Sequence, residues 1–99
     1  MFDISVEQNE KNYTVFLKGR LDTNGAPLAN EQIAKIAKNA QSIVLDFSEL
    51  VYLSSAGIRV INVLYQSKAD DCRLVLRNVN ADIMDIFELV GLDSVFDFE

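Results

Sequence analysis

The chain contains no histidine in 99 residues. That removes the commonest general base and the commonest metal ligand. A Ser-His-Asp triad cannot be built, and neither can a zinc site that relies on imidazole. Cysteine is almost as scarce. Cys72 stands alone, so it has no internal disulfide partner, and its setting fits a reducing compartment. One proline and four glycines supply no material for a linker or a low-complexity tract. No apolar run approaches the length of a membrane span. The opening Met1–Ser5 lacks the basic stretch and apolar core of a signal peptide. Basic residues number 9 against 15 acidic ones, for a net charge of -6. They are dispersed, the nearest groupings being pairs such as Lys18 with Arg20 and Lys35 with Lys38. Nucleic acid therefore has no electrostatic footprint here, and an anionic membrane would repel the chain. These absences point to a cytoplasmic, non-enzymatic protein without metal or cofactor.

What is present points to a folded globule. The chain is 49% hydrophobic and has the length of one domain, enough to bury roughly two-thirds of its unfolded surface. Phe2, Ile4 and Val6 alternate with Asp3, Ser5 and Glu7, the period of a strand with one wet face. The polar Asn9–Asn12 turn and the strand-like Tyr13–Lys18 complete a hairpin. A helix is expected after Pro27, with Ala29, Ile33, Ile36, Ala37 and Ala40 forming an apolar stripe. Ile43–Leu45 and Leu74–Leu76 read as short interior strands. Between them a helix is predicted over about 56–69, with Ile58, Ile61, Leu64 and Tyr65 facing the core. Asn80 is placed to cap a last helix carrying Ile83, Ile86, Phe87 and Val90 inward. Gly91 and Leu92 are placed to end it in a Schellman turn. Val95–Phe98 reads as a final strand. The resulting order, β-β-α-β-α-β-α-β over residues 1–99, implies an α/β fold. Its sheet is mixed but mostly parallel, with four to five strands, an N-terminal hairpin and about three helices.

In sheets of this kind, ligands and partners meet the carboxyl ends of the strands. Asp22, the segment Asp46–Leu53 and the serines Ser54 and Ser55 are all expected at that edge, with Asp46–Leu53 as a loop after the third strand. Ser55 has two readings from spacing alone: a helix N-cap, worth about 1 kcal/mol, or a modified residue at an exposed helix start. Catalysis by Ser55 is disfavoured. A nucleophile elbow needs Gly-x-Ser-x-Gly, and Leu53 holds the first glycine's place. No phosphate-binding Gly-x-x-x-x-Gly-Lys occurs either. Gly57 inside a helix implies a close approach, either of a partner or of the helix to a strand. Asp22 and Asp46 read more simply as turn-forming or solvated carboxylates, and Cys72 as packing. Tyr52 and Leu53 suit either the core or a contact patch.

The run Leu45-Asp46-Phe47-Ser48, followed by Val51-Tyr52-Leu53-Ser54-Ser55-Ala56-Gly57-Ile58-Arg59-Val60, resembles the signature of STAS domains. More narrowly, it resembles bacterial anti-sigma factor antagonists. Gly19-Arg20-Leu21-Asp22 and Ile86-Phe87-Glu88-Leu89-Val90-Gly91-Leu92 resemble two further family segments. The likeness runs the length of the chain and implies one STAS domain over 1–99. It also implies a protein that binds an anti-sigma factor serine kinase, with an ATPase fold like that of histidine kinases, and so frees a sigma factor. Phosphorylation at Ser55 ends the association and a metal-dependent serine phosphatase reverses it. Many phosphorylated relatives carry Asp-Ser-Ser/Thr-Gly where this chain has Ser54-Ser55-Ala56-Gly57, which makes Ser54 a rival acceptor. The resemblance places the partner face at Asp22, Thr23, Ser54, Ser55, Gly57, Ile58 and Arg59. Its alternative is a STAS scaffold or accessory subunit of a transport or signalling complex, bound without phosphorylation.

Overall fold

Alternating apolar residues fold the first segment into a hairpin, β1 (Phe2–Asn9) with β2 (Asn12–Leu21), in a computed structural model that describes residues 1–99. The chain continues through α1 (Ala26–Ala37), β3 (Ser42–Leu53), α2 (Ser55–Ser67), β4 (Arg73–Arg77), α3 (Ala81–Leu89) and β5 (Asp97–Phe98). The strands lie in the order β1-β2-β3-β4-β5, with β1 antiparallel to β2 and every later pair parallel. Successive parallel strands that advance in one direction, joined by right-handed crossovers, place their helices on one face. Packing agrees. Val15, Leu17, Ile43, Leu45, Leu74 and Leu76 from the sheet share one buried cluster with Ile33 of α1, Ile61 and Leu64 of α2, and Phe87 of α3. Phe87 meets Phe47, Phe96 and Phe98 edge-on at ring-centroid distances of 6.2, 6.0 and 5.4 Å.

The element order matches the sequence expectation, but β3 does not stop where its apolar run stops. It continues to Leu53, so Asp46–Leu53 is strand and not loop. The register with β2 slips twice. Phe16 pairs with Asp46 while Lys18 pairs with Glu49, and Gly19 pairs with Leu50 while Arg20 pairs with Tyr52. Each slip adds a residue to β3, as a bulge does. The buried apolar positions therefore run Leu45, Phe47, Leu50, Leu53, a spacing that hides strand periodicity in the sequence.

Helix faces also differ in detail. The α2 stripe is Gly57, Val60, Ile61 and Leu64. Tyr65 lies outside it, its ring edge-on to Phe96 at 5.3 Å. In α3, Ile83 and Phe87 are buried while Val90 lies past the helix end and is exposed. The end itself is as expected: Gly91 has φ +77°, its N–H donates to the Glu88 carbonyl, and Leu92 N–H donates to the Phe87 carbonyl. β5 is only two residues long, and Val95 precedes it as an exposed side chain.

Candidate functional site

The carboxyl ends of β2 and β3 and the start of α2 are tied together by backbone. Ser54 N–H donates to the Leu21 carbonyl at 3.0 Å, which sets the first turn of α2 beside the β2–α1 loop. Gly57 makes that approach possible. A Cβ at residue 57 would lie 2.7 Å from the Leu21 carbonyl oxygen and 2.6 Å from Leu53 Cδ1. Of its two sequence readings, the close approach is therefore of helix to strand. Gly57 is buried, a correction to its expected place among surface contacts.

The two serines divide the work of the helix start. Ser54, not Ser55, is the N-cap, with extended backbone and a hydroxyl that accepts the Gly57 N–H at 3.3 Å. The N-cap reading of Ser55 is thus overturned, because the helix begins one residue earlier than the apolar pattern suggested. Ser55 is the first helical residue and is exposed. Its hydroxyl has no hydrogen-bond partner. No acidic residue occupies the first turn of α2, so no side chain of that turn offsets the positive end of the helix dipole.

Asp22 borders this turn. Its Oδ1 accepts the N–H groups of Asn24 and Gly25 at 3.0 and 3.2 Å, and its carbonyl accepts those of Gly25 and Ala26. Since the α1 N-cap Gly25 has no side chain to offer, Asp22 shapes the entry to α1. That matches its reading as a turn-forming carboxylate. Thr23 is exposed beside it. On α2, Ile58 is half-buried against the core and Arg59 is exposed.

Arg20, Val51 and Tyr52 also lie at this edge. Tyr52 is 39% exposed and Val51 70%, whereas Leu53 is buried. The Arg20 guanidinium lies 4.1 Å from the Tyr52 ring centroid and 4.0 Å from the Asp22 carboxylate. Arg20 thus spans β3 and the β2–α1 loop, an arrangement created by the second register slip. A sequence alone carries no sign of that slip, because the pairing of Arg20 with Tyr52 depends on extra residues in the opposite strand.

Asp46 is not a surface group. It is 4% exposed. Its Oδ1 accepts the Ser48 N–H at 2.8 Å, and its Oδ2 accepts Arg77 Nη2 and Nε at 2.8 and 3.0 Å and Asn78 Nδ2 at 3.2 Å. Burial pushes its carboxyl up, but the Ser48 and Arg77 hydrogen bonds and the Arg77 charge outweigh burial and hold it below the ordinary carboxylate range. It fastens β3 to the end of β4 and takes no part in the exposed edge.

The ends of β2 and β3, two adjacent serines and a capped helix thus meet at one edge of the sheet. A model of the STAS domain family matches residues 3–99. The chain belongs to the STAS domain family. This STAS domain is 24% identical over 96 residues to the anti-sigma-B factor antagonist of Bacillus subtilis (strain 168), covering 96% of this chain and 88% of that one. Its fold is also that of an anti-sigma factor antagonist from Mycobacterium paratuberculosis, with a TM-score of 0.86 at 22% identity, covering 99% of this chain and 85% of the other. A second similar structure is the Bacillus cell fate determinant SpoIIAA in its phosphorylated form, with a TM-score of 0.77 at 18% identity over 98% and 91% of the two chains. No helix of this STAS domain is long and apolar enough to cross a membrane.

Proposed function

We propose that this STAS domain is an anti-sigma factor antagonist that binds an anti-sigma factor serine kinase and is released by phosphorylation of Ser55. The observation that carries the reading is the separation of cap from acceptor. Ser54 satisfies the helix, so the exposed Ser55 hydroxyl can be modified without uncapping α2. The family's usual aspartate before the acceptor falls at the N-cap, and aspartate and serine are both good caps. Ser54 therefore keeps the structural role of that aspartate and drops its charge. The kinship with an anti-sigma-B factor antagonist supports the same role.

The partner face comprises Asp22, Thr23, Ser54, Ser55, Ile58 and Arg59, extended by Arg20, Val51 and Tyr52. A phosphate adds about -1.5 to -2 charges and three acceptor oxygens. The N-terminus of α2 tolerates it, because its N–H groups and dipole favour an anion. A carboxylate on the partner does not. At ~6 Å and an effective dielectric of ~20, each added charge costs roughly 3 kcal/mol, or about a hundredfold in affinity. A serine phosphatase restores binding, and the domain itself catalyses nothing.

The test is incubation with the cognate kinase and ATP, followed by mass spectrometry. Phosphate is expected on Ser55, lost in Ser55→Ala and kept in Ser54→Ala. Phosphate on Ser54 alone, or none with a kinase shown to be active, overturns the proposal.

A further inference from the structure

The net charge of the chain is not spread over it. Residues 1–77 hold all nine basic residues and nine acidic ones, while residues 78–99 hold six acidic residues and no basic one. The whole net charge of -6 therefore sits in α3 and the segment that follows it. None of those six, Asp82, Asp85, Glu88, Asp93, Asp97 and Glu99, forms an ion pair within 4.0 Å; the chain's two pairs, Arg20–Asp22 and Arg77–Asp46, lie elsewhere. Asp82, Asp85 and Glu88 are exposed along α3, and no basic residue occupies its last turn. A helix C-terminus favours cations, so acids there oppose the helix's own dipole.

Apolar exposure accompanies the charge. Leu89 is 86% exposed, and Val90 and Val95 are also exposed. Leu89 continues the line of Asp82 and Asp85 at helical spacing, an apolar end to an acidic stripe. The surface is remote from Ser55. Asn80, the α3 N-cap, lies near the carboxyl end of β3, its Nδ2 3.5 Å from the Leu50 carbonyl. α3 then runs back against the strands, and its C-terminal end reaches the opposite edge of the sheet.

We propose that the C-terminal half of α3 and the loop after it, centred on Leu89 with Asp85 and Glu88 around it, form a second docking surface for a basic amphipathic segment of a partner protein. Charge complementarity selects that occupant. A second copy of this chain offers no cluster of cations to match, and two such surfaces repel. A segment with lysines or arginines flanking an apolar residue satisfies both the unpaired carboxylates and the exposed leucine. Placed at the other end of the fold, the surface holds its partner whatever the state of Ser55.

The test uses the intact chain and a short synthetic helical peptide with lysines on one face and leucines on the other, followed by amide chemical shifts. Saturable changes are expected over residues 85–95, with affinity lower by about tenfold or more in Asp85→Lys with Glu88→Lys and in Leu89→Ser, and unchanged in Ser55→Asp. The exposed acids Asp70 and Asp71 provide the control, and their conversion to lysine is expected to leave binding intact. Thermal melts of the variants verify folding, which an exposed Leu89 should not disturb. Changes spread equally over Asp70 and Asp71, equal weakening by the control pair, or no saturable binding up to about 1 mM overturns the proposal.

Discussion

Two adjacent serines differ because one backbone turns between them. Ser54 is extended, so its hydroxyl can reach the Gly57 N–H, while Ser55 is already helical and exposed. Ser54→Ala is expected to cost about 1 kcal/mol, lowering Tm by about 4–8 °C. Ser55→Ala should be nearly neutral. The opposite ranking in thermal melts would place the cap on Ser55. Asp46 makes a second prediction at this scale. Its carboxyl is held below the ordinary range in the fold, so the stability it contributes is complete above the unfolded-state value and is lost as pH falls through the lower folded value. Asp46→Asn weakens the hydrogen bonds from Arg77 and Asn78 and should cost about 2 kcal/mol at neutral pH. The acid-side loss of stability should be shallower in that variant, as measured by urea unfolding across pH; an unchanged slope would mean that Asp46 does not set it.

At the scale of elements, the site depends on how closely α2 approaches β2. Gly57 is the contact point, and the Leu21 carbonyl opposite it is backbone that cannot swing aside. Gly57→Ala improves helix propensity by up to about 1 kcal/mol, but the overpacking costs typically about 1–3 kcal/mol. A net loss of stability is expected, with weaker protection of the Ser54 amide against hydrogen exchange as α2 lifts from Leu21. A stabilised variant would show that the helix start has room to move. β3 is the other controlling element. Its bulges bring Tyr52 under Arg20 and bury Leu53 one residue later. The alternation legible in β1 and β2 is therefore not legible beyond Phe47, and a strand looked like a loop. α1 and α3 were legible because their apolar stripes and their end signals, Pro27, Asn80 and Gly91, are local.

For the whole molecule, the consequence is a fold with separate ends. The serines, Asp22 and Arg20 occupy the carboxyl edge of the sheet, while the exposed end of α3 lies at the other. Phosphorylation at Ser55 should therefore perturb amide shifts over about residues 21–25 and 53–59 and leave residues 85–95 unchanged. Shifts that spread into α3 would instead indicate a conformational change through the core. The chain's pattern alone determined the order of elements, the apolar stripes of its helices and the motif at residues 45–60, because these depend on hydrophobic period and on neighbours along the chain. It also indicated that Asp22 and the serines would share the carboxyl edge of the sheet, as they do. Only the tertiary structure decided which serine caps, that Gly57 faces a strand, that Asp46 is locked by Arg77, and that Arg20 covers Tyr52. Those outcomes depend on register and on the distance between elements far apart in sequence. Both are set by bulges and packing that no local pattern records.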